Sequence, residues 1–273
     1  MPARWTLAEE KKLYRGLHFL YVKKNKTIGE IAHILNLDPT SVYDRLVRLN
    51  IPRSRASKTR YNNQRTDVGI PTTYSPELAE FIGILLGDGH LTSTQVTVTL
   101  GKKEKRYAEY VADLIKSIFR IYPAIIKNLD GDLTVYFGST AVVRWFLEMG
   151  LVHNKVRSQV DVPAWCFSKR TFIRSVLRGL IDTDGSVYTL RHGVQISFCN
   201  RSYPLLKSAR LMMQQLGLRP SKISCYKVYL TRQKDLGNYL RQVGFSNRKH
   251  LKRLLVFSQL HGQVLEAAKP DRL

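Results

Sequence analysis

Asp88 and Asp184 each end an apolar, helix-like run and stand directly before a glycine, in GILLGDG (83–89) and GLIDTDG (179–185). A helix C-terminus already carries roughly half a negative elementary charge, so a carboxylate there is disfavoured. The glycines after them suit a helix end and need no other reason. The aspartates make sense if a cation is held nearby. Gly83 and Gly87, like Gly179 and Thr183, lie one turn apart and give each helix a stripe of small residues. Such stripes let two backbones approach closely. Packing the helices side by side brings Asp88 and Asp184 together, and a hard divalent cation relieves their repulsion. The expected metal donors are Asp88 and Asp184, with backbone oxygens at Gly87 and Thr183. Asp182 has Leu86 as its counterpart and reads as structural.

The motif is part of a longer internal repeat. LGKKEKRYAEYVADLIKSIF (100–119) aligns with FCNRSYPLLKSARLMMQQLG (198–217), apolar position against apolar position. GLVHNK (150–155) aligns with GFSNRK (244–249), which puts Lys155 and Lys249 at matching places. Both lysines are candidates for the catalytic pocket. Each half reads helix, strand, helix, hairpin, helix, and Asp130-Gly131 supplies a tight turn in the first. QVTVTL (95–100) alternates, with Gln95, Thr97 and Thr99 facing away from the core. QISFCN (195–200) does the same with Gln195 and Ser197, and KVYLTR (227–232) with Lys227, Tyr229 and Thr231. A one-sided sheet leaves its polar face free, and amide, hydroxyl and basic groups there can read base edges.

Composition points to a polyanion. Lys and Arg number 44 against 21 Asp and Glu, a formal charge of +23. Such an excess usually serves nucleic acid. The three cysteines have no paired spacing and the seven histidines no metal-ligand spacing, so a disulfide frame and a thiolate zinc site are not expected. The N-terminus lacks a secretory pattern and no run is long enough to span a membrane. The expected location is cytoplasmic, or organellar in a eukaryote, and not secreted.

Ahead of the repeat, TIGEIAHILNLDPTSVYDRLVRLNI (27–51) resembles a helix-turn-helix unit. Thr27 and Glu30 form a capping box. Asp38 and Pro39 start a second helix, whose polar face carries Thr40, Ser41, Tyr43, Arg45 and Arg48 as candidate DNA contacts. Residues 52–74 read as a basic linker in which Arg53 and Arg55 could follow phosphates. The domains expected are 1–51, 52–74, 75–165, 166–260 and a tail, 261–273.

The two motif copies resemble those of the LAGLIDADG homing endonucleases, in the form with two motifs in one chain. The second copy, LRGLIDTDG, departs from the pattern at few positions, and the first, FIGILLGDG, is looser. The resemblance covers about residues 75–260. It implies an α+β fold of two pseudo-symmetric αββαββα half-domains with saddle-shaped antiparallel sheets, here preceded by a small all-α domain. It further implies a monomer on a long double-stranded DNA site. Mg²⁺, or Mn²⁺ in its place, would be held by Asp88 and Asp184, and cutting would leave 3′ overhangs. A catalytically inactive transcription regulator and an intron RNA maturase are the alternatives on the same fold. The chain opens MPARW and closes PDRL, unlike a protein-splicing element, and is expected to be free-standing.

Overall fold

The computed structural model describes residues 7–24, 26–51, 68–190 and 193–261. Arg53, Arg55, most of the basic linker and the C-terminal tail lie outside the described residues. The chain divides into two compact units, 1–64 and 65–273. Among the described residues no helix is long and apolar enough to cross a membrane.

In the first unit α1 (Leu7–His18) continues as a π-helical turn over Phe19–Lys23, followed by α2 (Ile28–Leu35) and α3 (Pro39–Arg48). Leu17, Tyr21, Ile31, Ala32, Val42, Leu46 and Ile51 make its core. The capping box forms as expected: Glu30 N donates to Thr27 Oγ1 at 3.2 Å and Thr27 N to Glu30 Oε2 at 2.7 Å. Asn36 adopts a left-handed conformation and ends α2. Asp38 Oδ1 accepts from Thr40 N at 2.8 Å and starts α3. Thr40, Tyr43 and Arg48 are exposed, whereas Ser41 and Arg45 are half-buried. Arg45 is therefore less open than its place on the polar face predicts, because one turn of helix puts it close to buried Val42 and Leu46.

The second unit is an α+β fold with antiparallel sheets. Its first half runs α4 (Pro76–Gly87), β1 (Gly89–Leu91), β2 (Gln95–Leu100), α5 (Lys105–Phe119), β3 (Ala124–Lys127), β4 (Leu133–Gly138) and α6 (Thr140–Glu148), with strand order β1-β2-β4-β3. The second half runs α7 (Arg170–Asp184), β5 (Gly185–Leu190), β6 (Gly193–Cys199), α8 (Tyr203–Gln215), β7 (Lys227–Leu230) and α9 (Gln233–Gln242), with order β5-β6-β7. A last helix, α10 (Arg248–His261), packs against β5. The first half has the full αββαββα order. In the second, the strand before β7 shrinks to a single bridge, Ser224 to Lys227. Cys225 and Tyr226 take positive φ there. Ser221 supplies the contacts beyond, with Tyr229 N donating to its Oγ at 3.1 Å and its own N donating to Tyr229 O at 2.9 Å.

One hydrophobic core spans both halves, with α4 and α7 at its centre. Their glycines are what allows it. A methyl group on Gly83 would collide with the carbonyl of Val176, and one on Gly179 with the carbonyl of Glu80. Gly179→Ala is expected to destabilise the fold by about 1–3 kcal/mol, the usual penalty for overpacking. Denaturant unfolding measures it, and an unchanged midpoint would show that the helices part without cost.

Candidate active site

The close approach of α4 and α7 fixes what happens at their C-terminal ends. Asp88 caps α4 and Asp184 is the last residue of α7. Burial, and then the charge of Asp184, push the Asp88 carboxyl up to about 7. Burial also raises Asp184, against the hydrogen bond from Asn200 Nδ2 to its Oδ2 at 2.7 Å and the charges of Lys155 and Lys249. Asp184 is near enough for its charge to act on the Asp88 carboxyl.

The cation that the helix end asks for is partly a lysine. Lys155 Nζ donates to the carbonyl oxygens of Leu85, at 3.1 Å, and of Gly87, both in the last turn of α4. Burial lowers the pKa of this ammonium, while Asp184 and Asp88 raise it. The Gly87 oxygen, expected as a metal donor, thus already accepts a hydrogen bond from Lys155. Thr183 turns its hydroxyl back onto its own helix, donating to Gly179 O at 2.8 Å and Leu180 O at 3.1 Å.

Lys249 is held differently. Its Nζ lies 2.9 Å from Glu104 Oε1. Glu104 also accepts from Asn247 Nδ2 at 2.6 Å and from Gly101 N at 2.8 Å. Burial works against the Glu104 charge, yet the bonds from Asn247 and Lys249 hold its carboxyl below the ordinary value. Asp182 anchors the same segment: it is fully buried, and its Oδ2 accepts from Ser246 N at 2.8 Å and Asn247 N at 3.2 Å. Its structural reading fits these bonds. One turn from the Gly83–Gly179 crossing, Glu80 takes Arg178 at 2.6 Å, Tyr110 at 2.7 Å and Ser246 at 2.7 Å.

An open cleft of about 570 Å³ adjoins this cluster, bordered by Lys102, Lys103, Lys249 and Arg253, by the carboxylates of Glu104 and Asp132, and by the Gly185 that follows Asp184. It is rich in cations and suits a phosphate group. The first sheet presents Gln95 and Thr99 in the open and Thr97 half-buried, its hydroxyl donating to His90 O at 3.3 Å. On the second sheet Lys227 and Tyr229 are half-buried, and Thr231, expected on the same face, falls just past the end of β7 and is exposed. Gln195 and Ser197 depart from the expected exposure, at 8% and 6%. They lie on the central strand, paired with Tyr188, Ser186 and Tyr229. Arg253 of α10 also reaches Ser186 Oγ at 3.3 Å. Alternation identifies a face, but neighbours decide whether it is open.

Sequence reasoning passed over Asn200, Glu104 and Arg253. Asn200 directly follows β6 and Glu104 caps α5, and neither place carried a signal in the sequence.

Whether the site fits a metal ion turns on the donor set. Among the described residues no group of three or more His, Cys, Asp and Glu side chains is placed to hold one. The two aspartates alone offer hard oxygen donors, and their raised pKa values mark a place where further positive charge is favourable. The residues fit a weakly enclosed divalent cation of the Mg²⁺ class, with water completing its shell.

Comparison with known proteins gives the following. The replication factor C small subunit of Methanocaldococcus jannaschii is 28% identical over 194 residues, which is 67% of this chain and 10% of that protein. The glutamine–fructose-6-phosphate aminotransferase of the same organism is 26% identical over 200 residues, 68% of this chain and 18% of that protein. The chain therefore spans between a tenth and a fifth of the length of these relatives. A similar segment recurs in proteins with unrelated names, so those names do not describe it. Among solved structures, full-length DUF199/WhiA from Thermatoga maritima aligns with a TM-score of 0.46 at 18% identity, covering 72% of this chain and 64% of that one. The homing endonuclease I-WcaI bound to its DNA recognition sequence aligns with a TM-score of 0.43 at 15% identity, covering 72% of this chain and 91% of that one. The family profile of a LAGLIDADG-like domain matches residues 171–256, α7 through most of α10. Residues 171–256 are thus similar to a LAGLIDADG-like domain, and they lie within an α+β fold of two antiparallel-sheet halves joined through α4 and α7.

Proposed function

We propose that this chain is a site-specific, divalent-metal-dependent DNA endonuclease. The observation that carries the reading is the half-buried pair Asp88 and Asp184 at two helix ends, each acted on by the charges of Lys155 and Lys249, with Asp184 raising Asp88. A scaffold gains nothing from that repulsion, whereas a cation site needs it. A bound Mg²⁺ or Mn²⁺ would supply an activated water and stabilise the leaving oxygen. Asp88 and Asp184 would hold it. Asn200 orients Asp184 through its amide. Lys155 and Lys249 put positive charge where a phosphodiester gains negative charge. Lys102, Lys103 and Arg253 draw the backbone into the cleft. The polar face of the first sheet, with Gln95, Thr97 and Thr99, and Lys227, Tyr229 and Thr231 on the second, would read the DNA groove. One chain contains both motif aspartates, so one copy suffices per site.

A second reading, a DNA-binding regulator without nuclease activity, draws support from Lys155, which already supplies positive charge at the α4 terminus. One experiment divides the two. The protein is incubated with a randomised DNA library in Mg²⁺, and cut molecules are recovered. Selective cutting with 3′ overhangs, lost in EDTA and replaced by binding alone in Ca²⁺, is expected. Tight selective binding without cutting in Mg²⁺ or Mn²⁺ would leave the regulator, and preference for intron RNA over duplex DNA would favour a maturase.

The N-terminal unit has its own core and its own caps. We propose that α3 enters a major groove beside the cleavage site, with Thr40, Ser41, Tyr43 and Arg48 outward. Removing residues 1–60 is expected to shorten the nuclease-protection footprint at one end and weaken binding. Arg48→Ala alone is worth about 1–3 kcal/mol if the side chain grips a base. An unchanged footprint after truncation sinks this assignment.

A further inference from the structure

The polar face of the first sheet is not polar out to its edge. Cross-strand pairing puts His90, Thr97, Tyr136 and Ala124 in one row of that face, and Thr99, Thr134 and Ile126 in the next. Both rows end in alkyl side chains on β3, the edge strand. The hydroxyl next to Ile126 is already engaged, since Asn128 Nδ2 donates to Thr134 Oγ1 at 3.0 Å. Ile126 is 46% exposed, and Ala124 is exposed as well. Ile125, at 41%, has an ordinary reason to be apolar: it continues the core-side row of Val98 and Val135. Ile126 has no core beneath it, because alternation turns it to the other face. An exposed isoleucine on an open edge is a liability for self-association, so its place here calls for a reason. The second sheet carries no matching strand among the described residues, only the bridge between Ser224 and Lys227.

We infer that Ile126, with Ala124 beside it, recognises thymine through its C5-methyl group, in the outer part of one half-site. The inference rests on the reading of this sheet as the face that meets duplex DNA. Continuity and charge set the occupant. Ala124 and Ile126 complete the rows of Thr97 and Thr99, which are assigned to the DNA groove. Lys127 is exposed next to Ile126, in a chain of formal charge +23. In the major groove thymine presents a methyl group, and an apolar side chain is its partner. A β-branched side chain is stiff, so little freedom is lost when it is pinned against that methyl. Strand order places β3 three strand spacings, about 14 Å, from β1. β1 starts at Gly89, directly after Asp88. The thymine recognised by Ile126 therefore lies away from the scissile phosphates, in the half-site that the first sheet binds.

The test replaces each thymine of a selected site in turn with deoxyuridine, which pairs as thymine does and lacks only the methyl group. Binding is titrated in Ca²⁺ and cutting is timed in Mg²⁺. With the unsubstituted protein, replacement at one or two thymines in the outer part of one half-site should weaken binding about fourfold, the worth of one buried methyl group. Ile126→Ala should bind the thymine site about as weakly as the unsubstituted protein binds the deoxyuridine site, and should no longer distinguish the two. Ile125→Ala, on the core side of the same strand, should keep the full difference, which separates lost recognition from a disturbed strand. The inference is overturned if no replacement weakens binding, or if the difference persists undiminished in Ile126→Ala. It is overturned too if the free protein sediments as a dimer that Ile126→Ala dissociates, since a second copy would then be the occupant. Methyl-sensitive binding without cutting in Mg²⁺ or Mn²⁺ would overturn the nuclease reading and support this inference. A protein that prefers no duplex sequence would overturn both.

Discussion

Asp88→Asn and Asp184→Asn are each expected to abolish double-strand cutting in Mg²⁺, by about a hundredfold or more, while DNA binding in Ca²⁺ persists. The substitution removes one charge and almost no volume. It also relieves the repulsion between two half-buried acids, so the fold does not suffer from it. What is lost is half of the hard-oxygen donor set at the two helix ends, and the described residues offer no third acid grouped with them. Each variant should leave nicked circles at most, because the surviving aspartate serves one strand. The measurement pairs plasmid cleavage with a binding titration of the same preparations. A variant that linearises plasmid at the unsubstituted rate would show that the aspartate is there for packing. A variant that loses binding as well would show that the pair shapes the DNA surface and not the chemistry.

How much of this site could be read in advance depended on how local the signal was. Asp88 and Asp184 announced themselves because a carboxylate at a helix C-terminus is out of place, and the glycine stripes said which faces would meet. Lys155 and Lys249 followed from the repeat, at matching positions. Glu104 did not, because its meaning lies in Lys249 and Asn247, far along the chain in the other half. Nothing periodic records such a contact. Gln195 and Ser197 show a different limit. Their alternation placed them correctly on the polar face, but their cross-strand neighbours are Tyr188, Ser186 and Tyr229, and they are buried where Gln95 and Thr99 on the equally central β2 stay open. Arg45 met the same problem on α3. The missing strand of the second half was hidden because Cys225 and Tyr226 make its turn at positive φ, without the glycine or asparagine that usually marks one.

The raised pKa of Asp88 makes the stability of the fold depend on pH. Burial and the charge of Asp184 push its carboxyl up to about 7 in the folded protein, from the usual 3.8 of the unfolded chain. The folded state therefore holds this proton more tightly than the unfolded chain, and below about pH 4 the group contributes no difference. As pH rises from about 4 to about 7 the unfolded chain ionises first, and the folded state loses stability progressively. Above 7 the penalty is complete. The full shift would amount to ~4 kcal/mol, and the residual solvent contact of a half-buried side chain reduces this to about 2–3 kcal/mol. Asp88→Asn carries no such penalty. The variant should be more stable than the unsubstituted protein by that amount at pH 8 without metal, and the gap should close as pH falls to 4. Denaturant unfolding at a series of pH values in EDTA measures it. Adding Mg²⁺ at pH 8 should stabilise the unsubstituted protein and leave the Asn variant nearly unmoved, because the cation takes over the role of the proton. A gap independent of pH would mean that Asp88 is ionised at no cost, and the argument for a cation at the helix ends would lose its physical basis.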